Sequence, residues 1–521
     1  MARIDTEVLV IGGGATGVGV ARDAAMRGFA TILVERGDLA TGTTGRFHGL
    51  LHSGGRYVVK DPKAALECIH ENRVLRTIAA DCIEDTGGLF VTTPIDDPAY
   101  ADRFVKGCHS AGIPVEEISV PEALRREPRL NPRISRAFAV PDASMDSWKT
   151  VWGCARSASA HGARILPYHE VEKLVVEASV VKGAIARDHL TGEGIEIRAE
   201  FVINAAGAWA GRIAEMAGCE VSISPGKGIM IAMNHRLVNT VINRCEMPAD
   251  GDILVPIRTV SVIGTTDTKV TDPDEWEIPE SEVQQMLDAG ENLVPGFRGA
   301  RALRVWSGVR PLYQERQVAE TRDVTRAHAL LEHRTRDGVE RFLTITGGKF
   351  ATFRMMAEET VDTMCTELGS ARRCRTADEP LPDSEDGTYY WLGARLADRE
   401  TTLQDDQLIC ECELIPRRRV EEAMRRRGTT SLDDIRRTLR LGMGPCQGGF
   451  CIYRATGILH GVDGISGPQA NRALLDFLQE RWKGVQPILY GDQLRQAKLD
   501  DWIFQGLLDV EHLPAWSTTS S

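Results

Sequence analysis

Four of the chain's twelve cysteines fall into two tight pairs, Cys410 and Cys412 in LICECE and Cys446 and Cys451 in LGMGPCQGGFC. Side chains two apart on an extended chain point the same way, so Cys410 and Cys412 can offer both sulfurs to one metal. The second pair lies among Gly442, Gly444, Gly448 and Gly449. Missing side chains there free the backbone to wrap an inorganic cluster and donate N–H bonds to its sulfurs. Cys451 also opens a helix-like run, CIYRATGIL, whose positive end favours thiolate over thiol. Four such thiolates could hold zinc or a [2Fe–2S] cluster, and residue type alone separates the two poorly. The other eight cysteines are scattered and read as small, partly buried residues.

The opposite end of the chain carries a different chemistry. TEVLVIGGGATGVGVARDAAMRG gives an apolar strand, then Gly12, Gly14 and Gly17 in G-x-G-x-x-G spacing, then an alanine-rich helix. The first glycine permits the tight turn, the second lets a pyrophosphate approach the backbone, and the third lets helix and strand pack closely. The helix N-terminus then presents unpaired N–H groups to the negative charge. The next strand, ATILVE, ends in Glu35, placed to accept hydrogen bonds from a ribose hydroxyl, which favours FAD or NAD over a 2′-phosphorylated cofactor. Two later strands end in small residues, EFVINAAGAWAG around Gly207 and FLTITGGKF with Gly347 and Gly348. Turns of that kind bring backbone close to a flat ring, and three of them favour FAD over NAD.

These residues must be positioned by a chain of 521 residues, too long for one ordinary core, so two or three domains are expected. Strands alternate with helix-like stretches through residues 1–370, an α/β pattern. Residues 371–408 have no sustained period and read as a linker. The cysteine module occupies 409–460, with RRRVEEAMRRRG and SLDDIRRTLRLG as two short helices. Ser431 caps the second, Asp434 stands in capping-box position and Gly442 lies near the stop. Residues 461–521 read as an ordered helical tail. A net charge of -12 excludes nucleic acid as the primary partner. No apolar run reaches the ~18 residues of a membrane span, and Asp5 and Glu7 interrupt any signal-peptide reading. The expected address is the cytoplasm, where the cysteines stay reduced. From Arg417 to Arg440 nine arginines face four acidic residues; this island is either a docking face for another protein or for anionic lipid, or a set of solvated helix faces.

GGGATGVGVARDAAMRG, ATGTTGRFHGLLHSGGRY, VPDASMDSWK, VINAAGAWA, DILVP, SVIGTTDT, WSGVRPL, ITGGKFATFRMMAE, LICECE, LGMGPCQGGFC and ERWKGVQPILYGD together resemble the flavoprotein subunits of anaerobic, quinone-linked sn-glycerol-3-phosphate dehydrogenases. The resemblance implies an α/β flavoprotein of the D-amino-acid-oxidase type, with a Rossmann-like FAD domain interleaved with a β-rich substrate domain. It implies oxidation of sn-glycerol 3-phosphate to dihydroxyacetone phosphate by hydride transfer to FAD, the electrons passing through iron–sulfur centres to a quinone. Implied partners are two further subunits, a second flavoprotein and a membrane-associated iron–sulfur subunit, which would hold the chain peripherally on the inner face of the membrane. The pattern C-x-C, 33 residues, C-x-x-x-x-C is similar to small domains related to the bacterioferritin-associated ferredoxin. Its last gap is wider than the two residues of that free-standing ferredoxin, and the resemblance favours [2Fe–2S] over zinc.

Arg56 and Tyr57 in HSGGRY, Arg310 in WSGVRP and Lys349 in TGGKF match positions that surround substrate and flavin in that family. Arg56 and Arg310 are the expected phosphate clamps, because a guanidinium grips phosphate oxygens in two places. Lys349 supplies a compact charge, either to the phosphate or to the reduced flavin. His52, four residues from Arg56 in a flavin-facing segment, is the expected base for the alcohol proton; His48 competes with it, and a structural imidazole is the alternative. Thr43 and Thr44 either donate to the flavin or cap a turn, and Arg36 beside Glu35 completes the cofactor set. Two rivals stand beside this reading: a dehydrogenase of amino or 2-hydroxy acids with a fused [2Fe–2S] domain, and a non-catalytic electron-transfer subunit without a formed substrate pocket.

Overall fold

The computed structural model describes residues 2–314, 327–402, 406–427, 429–462 and 464–514, with the side chains of Arg426 and Arg427 outside the described set. The strand Ala2–Ile11 ends in four consecutive buried apolar residues, Val8 to Ile11, the pattern of a parallel strand covered on both faces. It pairs in parallel with Thr31–Val34 and with Gly194–Asn204. Arg164–Leu166 and Phe342–Gly347 extend the parallel core on either side. The hairpin His169–Glu177/Val180–Asp188 and the strand His328–Glu332 complete eight strands. Helices Ala15–Met26, Ser147–Ala160 and Phe353–Leu368 cover the sheet through one core that includes Val18, Ala21, Val151, Ala155, Phe353 and Val361.

A second sheet of nine strands is built on the long antiparallel pair Ile223–Met233 and Ala302–Tyr313. The chain leaves the first sheet after Val34, lays down part of the second, and returns at Arg164. It leaves again after Asn204 and returns at His328. This is the interleaved α/β arrangement that the sequence led us to expect.

Residues 371–391 do more than connect. Arg22, buried in the first helix, donates to the carbonyls of Thr376 and Glu379, Leu381 is fully buried with its N–H on Ile78 O, and the Tyr390 N–H bonds Ile83 O. The segment shows no period because its backbone bonds go to the surface it crosses. Leu392–Thr402 then forms a helix. The tail helix Gly467–Val485 shares one core with the cysteine module, in which Ile452, Ala455, Leu459, Ala473, Leu474 and Phe477 meet. Ser431 caps the helix Leu432–Leu439 as expected, but that helix stops at Arg440 in the left-handed conformation rather than at Gly442. No helix among the described residues is long and apolar enough to cross a membrane.

Candidate active site and cluster site

The two sheets enclose a cavity of about 860 Å³, toward the upper end for small-molecule sites. Gly12, Gly14, Glu35, Arg36, Thr43 and Thr44 line it at the nucleotide strand, Gly207, Gly347, Gly348 and Lys349 at the two later strand ends, His52, Arg56 and Tyr57 in the segment after the short strand Leu50–Leu51, and Arg310 on the second sheet. Of the predicted site residues in this half of the chain only Gly17 lies behind the wall. A Cβ there would sit 1.8 Å from Gly12 O, which is the close packing expected of the third glycine. Gly14 at the N-cap of the helix Ala15–Met26 has no side chain to bond the first turn, and apart from the Ala15 N–H, which Thr44 receives, the N-terminal N–H groups are oriented for an anion. Glu35 accepts from the N–H groups of Gly13 and Gly37 at 2.7 and 2.9 Å, which fixes its carboxylate at the cavity edge. This cradle fits a dinucleotide carrying a free ribose hydroxyl.

The threonines divide. Thr43 gives its hydroxyl proton to Val309 O, tying the loop to the second sheet, while Thr44 Oγ1 accepts from the Ala15 N–H at 3.0 Å and keeps its proton to donate. Arg36 stacks 4.4 Å over Trp209 and pairs with Asp274 at 2.8 Å, so it forms the rim.

Both expected phosphate clamps are held by carboxylates. Arg56 pairs with the buried Asp252 and donates to Ala249 O. Arg310 reaches Asp267 at 3.1 Å and bonds Thr265 and Thr266. The sequence does not reveal these acidic partners. Asp252 opens the run DILVP and Asp267 lies in SVIGTTDT, yet 196 and 43 residues separate them from their arginines, and nothing local announces such pairs. Lys349 Nζ lies 4.9 Å from the Tyr57 ring centre, and the Tyr57 and His52 rings are 5.4 Å apart.

The imidazoles depart from expectation. Burial, reinforced by His48, Arg56 and Lys349, pushes the His52 pKa well below its ordinary value; burial, with Arg56 and Arg310, pushes His48 down to about 3. A base poised near neutrality is therefore not what the pocket alone creates. Both rings are neutral at pH 7, and a dianion among the cations offsets part of the depression. His48 Nδ1 accepts from the Leu50 N–H at 3.2 Å, which assigns that ring a structural contact. The His52 ring instead faces Tyr57 and feels the charge of Lys349.

The four clustered cysteines come together. Their sulfurs hydrogen-bond in a ring, Cys410 to Cys412, Cys412 to Cys446, Cys446 to Cys451 and Cys451 to Cys410. Bonds from Cys412 and Cys451 hold Cys410 down to about 3 and Cys446 down to about 2. Backbone N–H groups of Gly442 and Glu413 assist Cys410, and those of Gly448 and Phe450 assist Cys446. Among the described residues, no three of these sulfurs lie all within 4.8 Å of one another. Four sulfurs facing one another, two of them receiving backbone N–H bonds, fit a [2Fe–2S] cluster, whose sulfurs accept such bonds. A Cβ on Gly444 would lie 2.2 Å from Cys412 Cβ and 2.9 Å from its sulfur, so the loop closes on this cysteine only with glycine.

Within the basic island, Arg436, Arg437 and Arg440 turn inward to Asp433, to Asp38 and Asp434, and to Glu413 and Asp146. The second half of that island is therefore an internal joint and not an outward docking face.

Residues 7–359 match the FAD dependent oxidoreductase family and residues 408–460 the BFD-like [2Fe-2S] binding domain. The chain is thus an FAD-dependent oxidoreductase with a fused [2Fe–2S] domain. It is 43% identical to the A subunits of two anaerobic glycerol-3-phosphate dehydrogenases: that of Escherichia coli K12 over 527 residues, 97% of each chain, and that of Haloferax volcanii, there numbered A1, over 98% of this chain and 91% of that one. It belongs to the family of these A subunits. The glycerol-3-phosphate dehydrogenase of Bacillus halodurans complexed with FAD has the same fold, with a TM-score of 0.57, 22% identity, and coverage of 97% and 94% of the two chains. Glycine oxidase from Geobacillus kaustophilus shares it over 73% of this chain and 99% of its own, at 20% identity and a TM-score of 0.56.

Proposed function

We propose that the chain oxidises sn-glycerol 3-phosphate to dihydroxyacetone phosphate, as the names of its full-length relatives suggest. The observation that carries the reading is the single cavity joining a nucleotide cradle to Arg56, Arg310, Lys349 and two neutral imidazoles. When bound, FAD supplies the hydride acceptor. Arg56 and Arg310 grip the phosphate, their forks aimed by Asp252 and Asp267. Lys349 adds positive charge beside Tyr57. His52 takes the C2 hydroxyl proton on a ring nitrogen as the hydride leaves C2, so carbon loses two electrons and the alcohol becomes a ketone. The phosphate dianion, held by the cations, makes protonation of His52 less costly.

A 2-hydroxy or amino acid would need one cation for its carboxylate; Arg56, Arg310 and Lys349 bring three donor groups to one cavity, a number that suits the three terminal oxygens of a phosphate even with Asp252 and Asp267 offsetting part of the charge. A purely electron-carrying protein would have no use for such a cavity. The names of the relatives support further subunits here as well. We read these as a second flavoprotein and a membrane-associated iron–sulfur protein that deliver electrons to quinone and hold the chain at the membrane's inner face. Anaerobic addition of glycerol 3-phosphate should bleach the flavin, while glycerate and amino acids should not. Equal bleaching by an amino acid would favour the rival dehydrogenase.

A further inference from the structure

We infer that the [2Fe–2S] module braces the nucleotide half of the flavin pocket, with Arg437 and Asp434 as positioning residues for the cofactor. The inference rests on reading the cavity as the FAD site, and it goes beyond the cluster's electron chemistry. The helix Leu432–Leu439 meets the flavin domain at two points. Arg437 Nε donates to Asp38 at 2.7 Å, and Tyr168 donates its hydroxyl to Asp434 at 2.6 and 2.7 Å. Arg437 also bonds Asp434 at 2.6 Å, so one guanidinium lies between two carboxylates whose side chains are fully buried.

Asp38 and Tyr168 sit on the two segments that frame Glu35. Tyr168 N–H bonds Gly37 O at 2.9 Å and His169 N–H bonds Glu35 O at 2.7 Å; His169 and Glu170 line the cavity beside Glu35. On the other side Asp38 accepts from the Leu39 N–H at 2.8 Å, and the Ala40 N–H bonds Gly13 O at 3.0 Å, inside the glycine turn itself. Tyr168 and Ala40 both hold left-handed backbone, with φ of 61° and 59°. That conformation is unfavourable for these residues and persists where surrounding bonds enforce it. The cluster module supplies one of those bonds to each segment.

Removing Arg437 leaves Asp38 and Asp434 buried, alike in charge and short of their shared partner, which is strongly destabilising. The segments around Glu35 and Gly13 can then relax only by abandoning the geometry that fits the cofactor. Because coupling between two sites is reciprocal, FAD binding must in turn stabilise the docked module.

The test is FAD affinity of the full chain, measured by flavin fluorescence after removal and return of FAD, with iron counted on the same samples. Arg437→Gln should weaken FAD binding by roughly five- to tenfold or more, the range of ordinary site-to-site coupling, at unchanged iron per chain; turnover at saturating FAD should stay within about twofold of wild type, because the residue touches no reacting atom. Tyr168→Phe, which removes one hydroxyl and nothing else, should shift affinity in the same direction by a smaller factor and serves if Arg437→Gln does not accumulate folded. Wild-type FAD affinity in the folded variants overturns the inference. Failure of the wild-type chain to bind FAD at all would instead overturn the reading of the cavity.

Discussion

Arg56 enters the cavity with its guanidinium already paired to a fully buried Asp252, so it is a fixed charge and not a flexible one. A pre-aimed fork loses little freedom on gripping phosphate. Arg56→Ala should lower kcat/KM for glycerol 3-phosphate roughly tenfold to a hundredfold or beyond, given what charged hydrogen bonds contribute, and initial-rate kinetics will show it chiefly in KM. His52→Asn should cost on the order of a hundredfold or more in kcat, the usual share of a positioned base; near-normal turnover at neutral pH would remove His52 from that role. The pH dependence follows from the direction of the shifts. A depressed imidazole is in its proton-accepting form at all pH values above its lowered pKa, so an NMR titration of the substrate-free protein should place the midpoints of both rings below the ordinary ~6.5 of histidine. A midpoint at or above that value would contradict the burial of His52 and His48. The sign for stability is the same: the unfolded chain protonates these rings first as pH falls, so their contribution is intact above ~6.5 and declines below it.

At the scale of elements, the glycine turns and the cysteine spacings were legible because each is a local constraint. G-x-G-x-x-G forces a strand–turn–helix, and C-x-C places two sulfurs on one side of a chain. Gly17→Ala would drive a methyl to 1.8 Å from Gly12 O and should abolish FAD retention while iron is kept. Gly444→Ala would push against Cys412 and should do the converse, iron lost and flavin kept; paired iron and flavin counts on the two variants check both. What the sequence hid are contacts between distant elements. The arginines of the helix Leu432–Leu439 read as a basic surface, yet Arg437 is satisfied by Asp38, 399 residues away. Residues 371–391 read as a linker because their partners, such as Arg22, lie 354 residues away and impose no period. The depressed imidazoles were equally hidden, since their cause is an enclosure made by two sheets.

For the molecule as a whole, the cysteine module and the tail are one packing unit. Leu474 and Phe477 of the tail helix meet Ile452 and Leu459 of the module in a single core, and the joint to the rest of the chain includes buried ion pairs and Ile488, which enters the core of the second sheet. Truncation after residue 460 should therefore expose that core and lose the cluster, seen as loss of iron and a poorly soluble product; a soluble truncated chain with full iron would restore the tail to a mere appendage. The interleaved sheets, by contrast, make one cavity that no single segment could build. The central claim is that a three-carbon phosphate ester is anchored in that cavity by fixed cations and oxidised there. The most direct measurement is the flavin's visible absorbance during anaerobic titration of the purified, iron-loaded chain. The account predicts stoichiometric bleaching by glycerol 3-phosphate and none by glycerol, glycerate or amino acids. An oxidised flavin that persists in excess glycerol 3-phosphate, yet is bleached by dithionite, would contradict it.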